Sequence, residues 1–156
     1  MVGLSQTGPK AYIHLDRLNH NFSEIQNHAV NCSLMCIVKT NAYGHGGVLV
    51  SKTLEKAGCT WFGVFTHEEG MELRNAGVNQ NIFVLCKLNK EALVAAVEYK
   101  FSLNLSSWDD FGLLEQFYRK NRILPKVHLK IDTGMTRLGF DFKDTDGVLD
   151  KITEFE

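Results

Sequence analysis

Leu34-Met35-Cys36-Ile37 leads directly into Val38-Lys39-Thr40-Asn41-Ala42-Tyr43-Gly44-His45-Gly46, and this stretch decides how the rest of the chain is read. The apolar run is short, rich in apolar and β-branched residues, and stops at glycines. That is the pattern of a parallel strand buried on both faces rather than of an amphipathic helix. Lys39 then falls at the strand's carboxyl end, where open α/β sheets and α/β barrels bind ligands and do chemistry. Taken alone, a lysine there is most simply a solvated side chain closing a strand. Its neighbours shift that reading. Gly44 and Gly46 permit a tight turn and close backbone approach to a ligand, and Tyr43 carries a hydroxyl able to donate to an anion.

A lysine amine, a tyrosine hydroxyl and a glycine turn together suit an aldehyde cofactor that carries a phosphate. The amine would form a Schiff base, with the turn and hydroxyl holding the phosphate.

Outward from this stretch, strand and helix patterns alternate. Ala11 to Leu15 reads as a short strand, followed by a helix over 16–29 with Leu18, Phe22 and Ile25 on one face. A helix from the glycine turn ends at Gly58, a C-terminal cap. Trp61 to Phe65 is a second buried strand. Thr66-His67-Glu68-Glu69 has capping-box spacing, and Gly77 closes the helix it starts. Ile82 to Leu85 is a third strand, and Asn89 caps the next helix. Phe101 to Leu105 is a fourth strand, after which Ser106 and Ser107 are alternative caps. Val127 to Ile131 is a fifth strand, and a last amphipathic helix covers 144–155. Repeated βαβ units on a parallel sheet follow from this alternation, with no reason to split the chain into two domains. An open doubly wound sheet and part of a barrel both remain. A complete (β/α)8 barrel takes about 250 residues, and five strands would be only part of one.

The 156 residues are 44% hydrophobic and 22% charged with a net charge of -1, ordinary for a globular domain with a sizeable core. No basic stripe is available to follow a phosphate backbone, so nucleic acid is not the expected partner. No apolar run is long enough to span a bilayer, and the first ten residues lack a secretory signal's charged start and apolar centre, which places the chain in the cytoplasm. Cys32, Cys36, Cys59 and Cys86 form no C-x-x-C pair and read as free core thiols. Cys32 and Cys36 share a face if the first strand reaches that far, but no histidine stands at ligand spacing, and no metal is expected.

His128-Leu129-Lys130-Ile131-Asp132-Thr133-Gly134-Met135-Thr136-Arg137-Leu138-Gly139-Phe140 is the second stretch with chemical content. Lys130 leaves a strand and Arg137 the loop beyond it. Two cations so close repel one another unless an anion intervenes. In the simpler alternative Arg137 caps the turn and Lys130 pairs with Asp132.

The Lys39 stretch closely resembles the pyridoxal-phosphate lysine motif of the alanine racemase family, Lys-Ala-Asn-Ala-Tyr-Gly-His-Gly, departing only at Thr40. The second stretch resembles that family's Leu-Lys-x-Asp-Thr-Gly-Met-x-Arg-Leu-Gly, at the expected distance downstream. Trp61 to Leu85 also fits, and Ala11 to Asn21 fits more loosely. The resemblance covers nearly the whole chain but only the amino-terminal part of the family's proteins.

It implies a (β/α)8 barrel of which residues 1–156 form about the first five strand-helix units, with the family's carboxyl-terminal β-rich domain absent. It implies pyridoxal 5'-phosphate on Lys39 and interconversion of L- and D-alanine, Lys39 acting as the base on one face. A tyrosine from the partner subunit's carboxyl-terminal domain serves the other face, and the full-length protein is a homodimer. Tyr43 is implied at the phosphate. Arg137 is implied at the cofactor's phenolic oxygen and the substrate carboxylate, and Lys130 as an N6-carboxylysine that supplies the anion between the two cations. Rival readings are a racemase for serine or another amino acid, and a non-catalytic pyridoxal-phosphate-binding barrel protein. That second group generally lacks the run ending in Arg137.

Overall fold

The computed structural model describes residues 10–153. Five parallel strands form one sheet: β1 (Met35–Ile37), β2 (Trp61–Val64), β3 (Asn81–Val84), β4 (Phe101–Leu105) and β5 (Lys126–Leu129). Helix α1 (Leu15–His28) precedes β1, and a short turn, α2 (Lys39–Tyr43), follows it. Helices α3 (Gly47–Lys56), α4 (His67–Asn75), α5 (Lys90–Tyr99) and α6 (Trp108–Asn121) connect the remaining strands. Beyond β5, the two-residue strands β6 (Ile131–Asp132) and β7 (Phe140–Asp141) pair with each other, and α7 (Thr145–Thr153) closes the described chain.

Strand order settles the choice that the alternation left open. A doubly wound sheet reverses its order at a switch point, whereas here the neighbours run β1-β2-β3-β4-β5 without reversal. With right-handed crossovers every connecting helix then lies on the same side, so the sheet is an arc of a (β/α)8 barrel, five units of it.

Alternation along each strand divides the residues between two faces. Phe62, Val64, Ile82, Val84, Phe101, Leu103 and Leu105 are each at most 1% exposed and pack with Leu73, Leu93, Phe111 and Leu114 of the helices. Burying each of these large side chains stabilises the fold by about 1.5–3 kcal/mol. The opposite face, which lines the barrel's interior, carries the residues of the other parity. Phe83 stacks on His128 with ring centroids 4.5 Å apart, and Trp61 meets His128 edge-on at 5.4 Å. Gly63 lies on this face too. A Cβ there would come within 2.5 Å of Ile37 Cδ1, so a larger residue would have to push the end of that side chain aside.

The helix starts follow their local sequence. Thr66 Oγ1 accepts the Glu69 N–H and the Glu69 carboxylate accepts the Thr66 N–H, completing the expected capping box. Asn89 Oδ1 caps α5 by accepting the Ala92 N–H at 2.7 Å. Of the two serines before α6, Ser107 is the cap. Ser106 instead donates its N–H and Oγ–H to Asp110 Oδ2 at 2.8 and 3.0 Å. Gly58 and Gly77 follow the ends of α3 and α4 at φ +99° and +89°, as their sequence positions imply.

Several expectations are corrected. No strand forms over Ala11–Leu15: residues 10–14 have no regular structure, Tyr12 is 79% exposed, and α1 starts at Leu15. A strand needs a neighbour to take its hydrogen bonds, and β1 pairs only with β2 among the described residues. For the same reason β1 is not buried on both faces; it is an edge strand whose Ile37 is 39% exposed. It begins at Met35, so Cys32 is not on it and is exposed rather than a core thiol. Cys36 and Cys86 are half-buried, and Cys59 alone of the four is fully buried. The fifth strand ends at Leu129: the Lys130 N–H still donates to the Leu105 carbonyl, but the Lys130 carbonyl accepts from Phe140, so the chain passes from β4 to β7 there. The last helix is described as far as Thr153; its expected end at Phe155 lies outside the described residues, as does most of the first ten.

Candidate active site

Directly after β1 the backbone turns the wrong way for L-residues. Thr40, Asn41, Ala42 and Tyr43 all have φ between +51° and +55°, one turn of left-handed helix. Such a conformation costs roughly 1–2 kcal/mol per non-glycine residue and persists only where surrounding contacts determine it. Those contacts are present. Asn41 Oδ1 accepts the Gly47 N–H at 2.6 Å, His45 Nδ1 lies 2.9 Å from the Ala42 carbonyl, and Glu69 Oε1 accepts the Thr40 N–H at 2.7 Å. Gly44 and Gly46, at φ +85° and +94°, complete the reversal.

The turn's first residue, Lys39, lines a cavity of about 720 Å³ at the carboxyl ends of the strands. Lys130 and Arg137 line the same cavity, so three of the four residues singled out in the sequence converge there. Among the described residues none of these three cations is in an ion pair, and no carboxylate lines the cavity. Three positive groups around one space favour an anionic occupant. Lys39 Nζ stands 5.7 Å over the Phe65 ring, a contact that holds the ammonium without neutralising it.

Lys130 does not pair with Asp132. The Asp132 carboxylate turns back into its own loop, where Oδ1 accepts the Gly134 and Thr136 N–H groups at 2.9 and 3.0 Å. These amides hold its pKa below the ordinary carboxylate value. The loop closes where the Phe140 N–H donates to the Lys130 carbonyl at 2.9 Å. Gly139 makes the approach possible: at φ +126° a Cβ there would lie 2.7 Å from the Asp132 nitrogen. Arg137 is thus carried on a loop pinned at both ends.

Tyr43 is placed differently. It is 60% exposed and borders a separate apolar cavity of about 450 Å³ between α1 and β1, along with Phe22, Cys36 and Leu54. The structure does not bring its ring into the Lys39 cavity.

Three further residues line the Lys39 cavity that the motifs did not single out. Phe83 and His128 supply a flat aromatic wall, and Asn104, opposite His128 in the β4–β5 register, is 3% exposed with an unpartnered Oδ1. Their signal was the two-residue alternation from His128 to Lys130 and the matching positions on neighbouring strands. Glu69, read only as a cap, also holds the turn beyond Lys39. The donor set therefore fits a planar, anionic aldehyde cofactor: an amine to anchor it, cations to neutralise it and aromatic rings to flank it.

Comparison with known proteins gives the same direction. Residues 13–156 match the family model described as alanine racemase, N-terminal domain. An alanine racemase of Fusobacterium nucleatum is 35% identical over 143 residues, 90% of this chain and 39% of that one. One from Synechocystis is 38% identical over 135 residues, 83% of this chain and 36% of that one. Among solved structures, the alanine racemase from E. faecalis superposes with a TM-score of 0.82 at 28% identity, covering 91% of this chain and 39% of that one. The alanine racemase of Clostridium difficile 630 superposes with 0.80 at 31% identity, covering 94% and 40%. The chain thus spans about two fifths of the length of these relatives. A family-model match over nearly all of the described residues, with both motifs facing one cavity, makes this chain a member of the alanine racemase family through its N-terminal domain.

Proposed function

We propose that these residues form the cofactor-binding part of a pyridoxal-phosphate-dependent amino acid racemase that interconverts L- and D-alanine. The observation that carries the reading is the convergence of Lys39, Lys130 and Arg137 on one aromatic-walled cavity with no carboxylate to neutralise them. Arg137 also speaks against a non-catalytic pyridoxal-phosphate-binding barrel, a group that generally lacks the run from Asp132 to Gly139.

When bound, the cofactor supplies an electron sink that acidifies the substrate Cα–H. Lys39 Nζ anchors the cofactor and, once released, takes and returns that proton on one face. Arg137 binds the cofactor's phenolic oxygen and receives the substrate carboxylate through its forked donors. Lys130, carboxylated at Nζ, places a negative group beside the Arg137 guanidinium and holds its orientation. Tyr43 donates its hydroxyl to the phosphate, which requires the ring to swing from the apolar cavity it borders. The opposite face of the substrate is served, by resemblance, by a tyrosine of the partner subunit's C-terminal domain in a homodimer. The 156 residues alone are therefore expected to be inactive or nearly so. A cytoplasmic location belongs to the same reading and accords with four cysteines that are all unpaired.

The test is to incubate the protein with pyridoxal phosphate, reduce with borohydride and map the labelled peptide by mass spectrometry. Label concentrated on Lys39, and abolished in Lys39→Ala, is expected. Label spread evenly over surface lysines would overturn the assignment.

A further inference from the structure

Phe140 closes the loop that carries Arg137, and its ring packs on α6 rather than in the Lys39 cavity. It is 3% exposed; its ring centroid lies 5.4 Å from that of Trp108, edge to face, and 5.7 Å from that of Phe111. Trp108 and Phe111, one turn apart at the start of α6, are 5.6 Å from each other, so the three rings form a closed triangle. Trp108 is the outer member: it is 48% exposed, and a Cβ at Gly147 of α7 would lie 4.0 Å from its ring. None of the three rings lines the Lys39 cavity.

The backbone of Phe140 is tied to the sheet at the same point. Its N–H donates to the Lys130 carbonyl at 2.9 Å, and the Lys130 N–H donates to the Leu105 carbonyl at the end of β4, also at 2.9 Å. Phe140 is therefore the junction at which Lys130 meets the loop bearing Arg137. From Thr133 to Arg137 that loop is exposed, with Met135 at 73%, so the direction of Arg137 is inherited from the loop's two ends. At one end the Asp132 carboxylate takes the Gly134 and Thr136 amides. At the other stands the ring triangle, and aromatic rings in edge-on and tilted contact hold one another more firmly than buried area alone. With that seat lost, the loop is free to move about Gly139, and ordering it again counts against any anion that binds Arg137.

We propose that Trp108 and Phe140 are positioning residues for Arg137: their ring contact clasps the Arg137 loop to α6 and so presents the guanidinium to the Lys39 cavity beside Lys130. The proposal rests on the reading of Arg137 as a cofactor-binding and substrate-binding residue. Neither ring touches cofactor or substrate, and both act through Arg137. Trp108 matters most for the loop's outer side, because it closes over Phe140 from the solvent while Phe111 supports it from within α6.

The test uses the 156-residue chain and pyridoxal 5'-phosphate, with borohydride-fixed label on Lys39 titrated to a half-saturating concentration. Trp108 is half-exposed, so Trp108→Ala removes the clasp with little loss of core, and Trp108→Phe keeps a ring in place. Trp108→Ala is expected to raise the half-saturating concentration about three- to tenfold, and Trp108→Phe to restore most of it. Added to Arg137→Ala, Trp108→Ala should change it by less than about twofold, since a residue acting through Arg137 has nothing left to position. Without cofactor, and at a urea concentration below unfolding, trypsin should cut after Arg137 faster in Trp108→Ala than in the unaltered chain. Equal effects of Trp108→Ala with and without Arg137, or unchanged labelling and cleavage, overturn the proposal and leave the cofactor site standing. Absence of Lys39 label in the unaltered chain overturns the cofactor reading and this proposal with it.

Discussion

Glu69 Oε1 accepts the backbone N–H of Thr40 at 2.7 Å across 29 residues of sequence, while Glu69 Oε2 accepts the Phe65 N–H at the same distance. One carboxylate therefore starts α4, ends β2 and holds the residue next to Lys39. Glu69→Ala removes the capping box and leaves the Thr40 and Phe65 amides without their acceptor, a loss of about 2 kcal/mol in chemical denaturation. Glu69→Gln keeps one acceptor but points an amide donor at the other N–H, and is expected to recover only part of that loss. Selective labelling of Lys39 should fall in both variants before global unfolding begins.

Thr40 is a β-branched residue held at φ +54° with an exposed side chain. Thr40→Gly removes the steric cost of that backbone, offset in part by the greater freedom of glycine in the unfolded chain. A net gain of about 0.5–1 kcal/mol is expected, read as a higher urea midpoint. A lower midpoint would show that the left-handed turn is not a source of strain.

Asp132 provides a pH dependence. Its folded pKa is lowered by the Gly134 and Thr136 amides, so its contribution is present above the unfolded carboxylate value of about 3.9 and is lost as pH falls through the folded value. Hydrogen-exchange protection of the Gly134 and Thr136 amides should persist at neutral pH and disappear in strong acid. Asp132→Ala should abolish it at every pH and free the Arg137 loop to proteases.

Asp110 is fully buried and takes both the N–H and the hydroxyl of Ser106 on one oxygen. Asp110→Ala leaves the Ser106 amide buried without a partner. A loss of about 2–4 kcal/mol is expected in thermal or urea unfolding, with Ser106→Ala costing less because its amide keeps its acceptor.

The sheet's outer strands, β1 and β5, each have a single neighbour among the described residues, and Ile37 and Val127 on them are 39% and 37% exposed. Unpaired strand edges of this kind recruit other chains. Self-association of the 156-residue chain is expected in light scattering, reduced by Val127→Lys. A monodisperse monomer at high concentration would count against it.

Sequence by itself determined most of what is local. Thr66 and Glu69, Asn89, and Gly58 and Gly77 carry their helix boundaries in side-chain chemistry and backbone freedom, which act over three or four residues. The parity of Lys39, Phe83, His128 and Lys130 likewise follows from strand alternation once the strands are known. The two motifs named the cavity's three cations because amine and guanidinium chemistry resides in the residue type. Only the tertiary structure decided the rest. It chose an arc of a barrel over a doubly wound sheet, since strand order is set by which neighbours pair and not by any strand's composition. It left Ala11–His14 without a strand and half-exposed β1, because burial depends on what packs alongside. It turned Asp132 away from Lys130 and placed Tyr43 outside the Lys39 cavity, and it brought Glu69 to Thr40 and Phe83 to His128. Those contacts join residues distant in the chain, and their geometry exists only after the strands between them have paired.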